Sequence, residues 1–506
     1  MAANGINANL IRLNGLSSGL DTESIVTSLL KIDQMKVDKQ FKLAEKLEWK
    51  GDAYRAINLK LKSFRETYMT TQYPATNMFS SSAYNAFAVT MNTQTSAVSI
   101  TAGSNASVGA LTISNIKLAT APQVSSSNVF GADQNVTINS TLEEAFGPDT
   151  FDGDGNISFS INGKTFTFSK DTSISKMTNQ INSSDTGVTM SYSSLKKGFT
   201  ITSKTTGKDS KIQIENLSGK AFESASTGFM IGEVDVAGTN ATAVIDGVPV
   251  ERASNTFTID GITYALKENT TSESEIKFSI SRDVDSVFNR IKGFIDAYNS
   301  LIEEVQAKLD EEIYSDYGPL TDAEREDLSE TQITQWEEKA KSGLLRNDNS
   351  LRTLLQDLRN MFYSVVEGAG KSAAGIGLET GSYAVTGKIV INEAKLKQAL
   401  SNNPDQVASI FTKVSNATDA STKYKESGLV VRMSSTFNKF LANSTDITLK
   451  TNAEAVTNAN NRLDQLEDWL EKNEQKYYAR FTAMETALAK LNSQTGWISS
   501  MLGTQG

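Results

Sequence analysis

The chain has 506 residues, 39% hydrophobic and 21% charged, a composition able to build real cores, and a length that suggests roughly three domains. Its 49 basic and 59 acidic residues leave a net charge of −10, which argues against a nucleic-acid footprint or a polybasic membrane patch. Cysteine and histidine are both absent. That excludes disulfides, structural zinc, thiol nucleophiles and Ser-His-Asp triads, though not carboxylate-only or Ser-Lys chemistry.

The opening MAANGINANLIRLNGL has no basic head leading into an apolar core, so a cleaved secretory signal is not expected. No window approaches about 18 consecutive apolar residues, so no membrane insertion is expected either. In GLSSGLDTESIVTSLLKID, Asp21 suits a helix N-cap, and Glu23 faces the positive end of the helix dipole. Leu20 and Ile25 have the spacing of a hydrophobic staple. Downstream, Leu43, Leu47, Tyr54, Ile57, Leu61, Phe64 and Tyr68 recur on one helix face. Gly51 interrupts them at a cost of about 1 kcal/mol against Ala, marking either a bend or domain junction, or nothing at all.

From about residue 86 to residue 280 the texture changes to short alternating runs punctuated by Thr, Ser, Asn and Gly. AFAVTM, AVSITA and GALTISNIKLA read as strands. ISFSINGKTFTFS turns at Asn162-Gly163, TSISKMTNQINSS reads as a short helix, and GVTMSYSSLKKGFTITSKTTG turns near Lys197-Gly198. Asp246-Gly247 and Asp260-Gly261 mark two further hairpins. FDGDGN places Asp152, Asp154 and Asn156 as in a calcium loop, but the required Gly and the closing Glu are replaced by Ile157 and Gly163, so a polar turn is expected. No phosphate-cradling Gly motif occurs. Paired acids such as Glu303-Glu304 and Glu337-Glu338 sit on helical patterns among lysines and read as solvated faces.

Helical periodicity returns at Val284, Phe288, Ile291, Ile295, Tyr298, Ile302, Val305 and Leu309. The acidic stretch PLTDAEREDLSETQITQWEEKAKSG holds two capping boxes, Thr321 with Glu324 and Ser329 with Gln332, hence two short surface helices. A further helix is expected through Leu351, Leu354, Leu358, Phe362 and Val365. After it come a strand, a helix capped by Asn392 and a helix starting at Asn403-Pro404. No proline follows Pro404. In the last segment Val456, Leu463, Leu470, Tyr477, Met484, Leu491 and Ile498 recur every seventh residue. The companion series starts with Ala459 and Leu466 and drifts to Phe481 and Leu488, as a straight helix of 3.6 residues per turn requires. Coiled-coil-like packing is expected. Trp497 near the end of this helix points to a contact with another molecule.

The order helix, strands, helix predicts an α+β multidomain fold, with a coiled-coil-like helical stalk from both termini carrying inserted β-rich head domains. The expected division is residues 1–45 plus 450–506 as a terminal leg and 46–85 plus 281–449 as a helical bundle. Residues 86–145 plus 237–280 make one β-rich domain, and 146–236 a second. Leu20, Ile25, Leu29 and Ile32 are candidate leg or partner contacts, together with Leu463, Leu470, Tyr477, Met484, Leu491, Trp497 and Ile498. No catalytic, metal or cofactor constellation emerges.

Four stretches carry a resemblance. GLSSGLDTESIVTSLLKIDQMKVDK and VSITAGSNASVGALTISNIKLATAPQV lie toward the front, and FSINGKTFTFSKDTSISKMTNQINSS is similar to the flagellin IN motif. VFNRIKGFIDAYNSLIEEV, KSGLLRNDNSLRTLL and RFTAMETALAKLNSQTGWISSML follow. In this order they resemble the flagellar hook-associated protein 2 family, the filament cap proteins called FliD. The resemblance implies export through the flagellar type III apparatus without a cleaved signal and assembly as a homo-oligomeric cap ring or plate at the filament tip. There it would promote insertion of flagellin. Flagellin, a hook–filament junction protein and an export chaperone are the implied partners. Two other readings remain beside it: a flagellin or hook–filament junction subunit, of which a filament subunit would be far more abundant than a cap, and a surface adhesin or glycan-binding module.

Overall fold

The computed structural model describes residues 18–126, 136–271, 274–381 and 387–503. The chain is an α+β multidomain protein that divides into two compact units. One comprises Met1–Tyr84 with Phe288–Gly506; the other is Asn85–Val287.

The first unit is built on the N-terminal helix, Thr22–Met69, and the C-terminal helix, Lys450–Leu502. The Asp21 carboxylate accepts from Ser24 N (3.0 Å) and closes the first turn of the N-terminal helix. One continuous stripe of this helix is buried or half-buried: Val26, Leu30, Asp33, Val37, Gln40, Ala44, Leu47, Gly51, Tyr54, Asn58 and Leu61. Its steps alternate four and three, the spacing of a coiled-coil seam. Leu43, expected on this face, is 49% exposed because it falls outside that alternation. The helix continues through Gly51.

Toward its C-terminal end the same stripe enters a core shared with the helices Val284–Asp310, Asn349–Tyr363 and Leu429–Asn443. Phe64 meets Phe294 (ring centroids 5.5 Å) and Phe437 (5.8 Å, edge-on). Each large side chain buried there stabilises the unit by about 1.5–3 kcal/mol. The helix Asn349–Tyr363 stops before Val365, which is 54% exposed and not part of the expected apolar face. Both capping boxes of the acidic stretch form, on Asp322–Glu326 and Glu330–Lys341. That stretch is not simply a solvated surface. Trp336 Nε1 donates to Gly318 O (2.8 Å), Lys42 pairs with Glu324 (2.6 Å), and Lys341 lies over the Trp49 ring (4.7 Å).

Between Leu429–Asn443 and the C-terminal helix, residues Ser444–Leu449 form a π-helical segment. Helix therefore runs without interruption from Leu429 to Leu502, with one widened stretch. The extra residue in a π turn resets the phase of the following helix.

Arg432, 1% exposed, is the largest fully buried side chain among the described residues. Its guanidinium donates to Tyr424 O (2.7 Å), Lys425 O (2.7 Å), Val365 O (3.0 Å), Ser364 O (3.2 Å) and Met361 O (3.4 Å). These carbonyls lie at the C-terminal ends of Asn349–Tyr363 and Ala420–Glu426. One planar cation thus satisfies the orphan acceptors of two helices and meets the negative ends of both dipoles.

The second unit holds two cores. A five-stranded antiparallel sheet has the order Phe87–Met91, Ile276–Arg282, Gly109–Lys117, Ala241–Ile245, Val248–Arg252. Its core residues, among them Ile113, Ile116, Tyr264, Phe278 and Ile280, are shared with the sheet Thr256–Ile259, Ile262–Leu266, Val98–Ala102. The other core is aromatic, with Phe159, Phe166, Phe168, Phe199, Phe222 and Phe229, and also takes in Val136, Leu142 and Ala145. It lies among the sheet Val234–Ala237, Lys211–Ser218, Asn156–Ile161, Lys164–Ser169, the sheet Gln123–Ser125, Gly198–Ser203, Val188–Ser193, and the helix Ile174–Asn182. The hairpin turns at Asn162-Gly163 (φ 48° and 80°), Asp246-Gly247 (48° and 79°) and Asp260-Gly261 (48° and 77°) all use left-handed pairs, which match strand twist. Asp152 accepts from Asp154 N, Asn156 N and Ser218 Oγ, closing a turn with the oxygens a cation would have needed.

Candidate assembly surface on the paired terminal helices

The N-terminal and C-terminal helices run antiparallel, fixed by a ladder of polar contacts inside the seam. Ser18 N donates to Glu485 Oε2 (3.3 Å), and the Ser18 hydroxyl donates to Glu485 Oε1. Asn473 Nδ2 donates to Asp33 Oδ2 (3.1 Å), while Lys36 Nζ reaches Asp33 Oδ1 (3.0 Å) and lies over the Trp469 ring (4.7 Å). Gln40 Nε2 donates to Ala459 O (2.9 Å). Asn452 Nδ2 donates to Leu47 O (2.9 Å), and Asn58 Nδ2 to the buried Ser444 Oγ (2.9 Å).

Gly51 has a definite role in this ladder. A Cβ placed on it would stand 2.8 Å from Asn452 Nδ2. The missing side chain opens the notch through which Asn452 reaches the Leu47 carbonyl.

Two members are unusual. Glu485 is only 3% exposed although it is a carboxylate, and Asp33 is 8% exposed. Buried charges are tolerated only when hydrogen-bonded, so these positions tie register to solvation: a slipped pairing would strand them. At the base of the ladder Asn58 Oδ1 is buried without a partner in the protein. Beside it, Tyr54 donates to Asp348; burial, followed by this carboxylate, pushes the phenol well above its usual range.

The residues singled out from sequence fall into three groups. Leu463, Leu470, Tyr477 and Met484 are half-buried along the seam side of the C-terminal helix. Leu29 (43%) and Ile32 (66%) are exposed and lie beside the seam, which is lined instead by Val26, Leu30, Asp33 and Val37; Ile25 is half-buried and Leu20 is 45% exposed. Leu491 (56%), Trp497 (61%) and Ile498 (50%) are exposed near the end of the C-terminal helix, past the level of Ser18.

Apolar periodicity alone does not reveal the polar rungs Asp33, Gln40, Asn452, Asn473 and Glu485. The alternation of fours and threes from Val26 to Leu61 places Asp33, Gln40, Gly51 and Asn58 in phase, so the signal was present. Arg432 was likewise visible as a lone cation in the apolar run LVVRM.

Among the described residues no cluster of His, Cys, Asp or Glu could hold a metal ion, and no helix is long and apolar enough to cross a membrane. The functional chemistry on view is helix pairing.

Comparison with known proteins is consistent across sequence and fold. Residues 18–122 match the flagellar hook-associated protein 2 N-terminus, and residues 238–493 match the C-terminus of the same family. The flagellar hook-associated protein 2 of Halalkalibacterium halodurans is 29% identical, over 96% of this chain and 98% of that protein. The protein of the same name from Escherichia coli is 24% identical, over 96% of each. A crystal structure of the flagellar cap protein FliD from Escherichia coli superposes with a TM-score of 0.55 at 21% identity, covering 80% of this chain and 99% of that one. Ser18 of the N-terminal block and Glu485 of the C-terminal block, far apart in sequence, meet in one hydrogen-bonded contact. The chain belongs to the flagellar hook-associated protein 2 family.

Proposed function

We propose that this chain caps the flagellar filament: several copies assemble as a ring or plate at the tip and help each exported flagellin insert and fold there. The observation that carries this reading is the antiparallel pair of terminal helices. It has a polar, register-specific seam, and apolar side chains remain exposed beside it (Leu29, Ile32) and beyond it (Leu491, Trp497, Ile498). Such a leg can hold itself together and still offer apolar contacts, those beside the seam to neighbouring copies and those beyond it to a filament end.

In this proposal residues 1–45 and 450–506 form the leg, and 46–85 with 281–449 form the helical body. The β-rich domains are 86–122 with 237–280 and 123–236, the boundary lying before 145 because the strand Gln123–Ser125 pairs with Gly198–Ser203, and Val136, Leu142 and Ala145 pack with the aromatic core. Export runs through the flagellar type III apparatus, and flagellin, a hook–filament junction protein and an export chaperone are the partners.

Two measurements test the reading. Gold-labelled antibody on isolated flagella should mark only the tip; labelling along the shaft would make the chain a filament subunit instead. Deleting residues 1–40 should leave the Asn85–Val287 unit folded, stop filament growth and release flagellin into the medium. Normal filaments from that deletion would exclude the leg.

A further inference from the structure

The leg has two unlike sides. On the N-terminal helix Leu29, Ile32 and Lys39 all lie to one side of the seam, roughly 60° to 140° around from its centre at about 100° per residue. Lys36 shares that side and lies over the Trp469 ring (4.7 Å), which fixes the flank of the C-terminal helix alongside it. Trp469, Lys472 and Lys476 share this flank by their three- and four-residue spacing. One side of the leg is therefore apolar and basic, with Leu29 43%, Ile32 66% and Trp469 37% exposed. On the opposite flank of the C-terminal helix Asp464, Glu467, Asp468 and Glu471 recur at the same spacing, all exposed. Among the described residues Lys39, Asp464, Glu467 and Asp468 form no ion pair.

The heights agree as well. Asp33 stands opposite Asn473, and Gln40 opposite Ala459. The segment Leu29–Lys39 is thus level with the acidic segment Asp464–Glu471. Copies related by rotation about an axis along the legs remain level with one another. Each would then present its apolar and basic side to its neighbour's acidic side.

We propose that the legs of neighbouring copies pack side by side in this head-to-tail sense, with Leu29, Ile32 and Lys39 of one copy against Glu467, Asp468 and Glu471 of the next. The occupant of the exposed stripe is a second copy of this chain. Two different faces on opposite sides make a head-to-tail contact, which gives a ring where the rotation closes and never a two-fold dimer. Charge complementarity sets direction and height, and the apolar side chains supply area. The inference rests on the reading that the chain self-assembles.

Absence of cysteine makes the test clean. Full-length chains carrying only Ile32→Cys are mixed with chains carrying only Glu471→Cys, under conditions where light scattering shows the unsubstituted chain oligomeric. Oxidation should give mixed dimers in excess over either self-pair. Self-pairs of Ile32→Cys in excess, or no cross-link within an assembled oligomer, overturn the proposal and leave self-assembly standing. A chain that stays monomeric at every concentration and on filament ends overturns both. A cross-link formed only to added flagellin overturns the proposal in favour of flagellin as the occupant.

A second arm uses charge. Lys39→Glu and Glu467→Lys should each weaken association several-fold at low salt and less at high salt. Together in one chain they should restore it. The two residues lie on opposite sides of a single leg, so rescue reports a contact between copies. Failure of the double variant to recover, with each single variant impaired, would also overturn the proposal.

Discussion

At the scale of single residues, two positions show how a side chain can act on backbone far from it in sequence. Arg432 serves carbonyls from two helix ends, so its loss strands several buried acceptors at once. Arg432→Ala should destabilise the helical unit by about 3 kcal/mol or more, read as a lowered thermal midpoint. Arg432→Lys should recover little of this, because a point donor cannot span a fork of five contacts. Gly51 is the opposite case, a residue useful for what it lacks. In an ordinary helix Gly→Ala gains about 1 kcal/mol. Here Gly51→Ala alone should gain almost nothing, because the new Cβ displaces Asn452 from Leu47 O. In an Asn452→Ala background the same change should recover the gain of about 1 kcal/mol. Additive behaviour in that double-mutant cycle would remove the notch.

Among elements, the leg is the informative one. Its seam combines Val26, Val37 and Ala44 with Asp33 and Gln40, so apolar burial is modest and register is set by polar rungs. Replacing Asp33 and Asn473 together by Leu should raise the melting temperature of the leg yet loosen its register. Hydrogen exchange should show slower overall opening, with cysteine cross-links forming at several offsets. In the unsubstituted chain, amides of Ser24–Gln40 should exchange faster than those of Tyr54–Phe64, which are packed into the bundle. The acidic helix Glu330–Lys341 contributes stability that depends on pH. Lys341, with Arg325, holds the Glu337 carboxyl below the usual carboxylate range. A lowered folded value means this contribution is complete above the ordinary glutamate range and is lost as pH falls through the lowered value. Trp336 fluorescence should report loosening in that acid window, and Glu337→Gln should remove the pH dependence. An unchanged profile in Glu337→Gln would assign the effect elsewhere.

For the molecule as a whole, the β-rich unit is an insertion between two helical halves that depend on each other. Asn85–Val287 contains both of its cores. Expressed alone, it should fold and unfold cooperatively in calorimetry. The helical unit, by contrast, needs both chain ends, because the seam joins residues more than 400 apart in sequence. Removing either end should therefore expose the other, seen as increased hydrogen exchange in the remaining terminal helix.

Local structure is written in short stretches of the chain. Asp21, Thr321, Ser329 and Asn392 cap helices where short polar side chains can reach free N–H groups. Asn-Gly and Asp-Gly turns close hairpins where left-handed backbone is needed. Periodicity of two and of 3.6 separated the β-rich middle from the helical ends, because burial on one face is encoded within a few residues. Which face goes inside, when a helix has two candidates, is settled by packing between distant elements. Leu29 and Ile32 are more apolar than Asp33 and Gln40, yet the seam takes the polar pair. Hydropathy reports the desire for burial, not the partner. The partner of Asp33 is Asn473, and that of Ser18 is Glu485. Such contacts depend on the phase in which two distant helices meet, and on the π-helical segment Ser444–Leu449 that sets the second helix's phase. Neither is a property of any short stretch of chain.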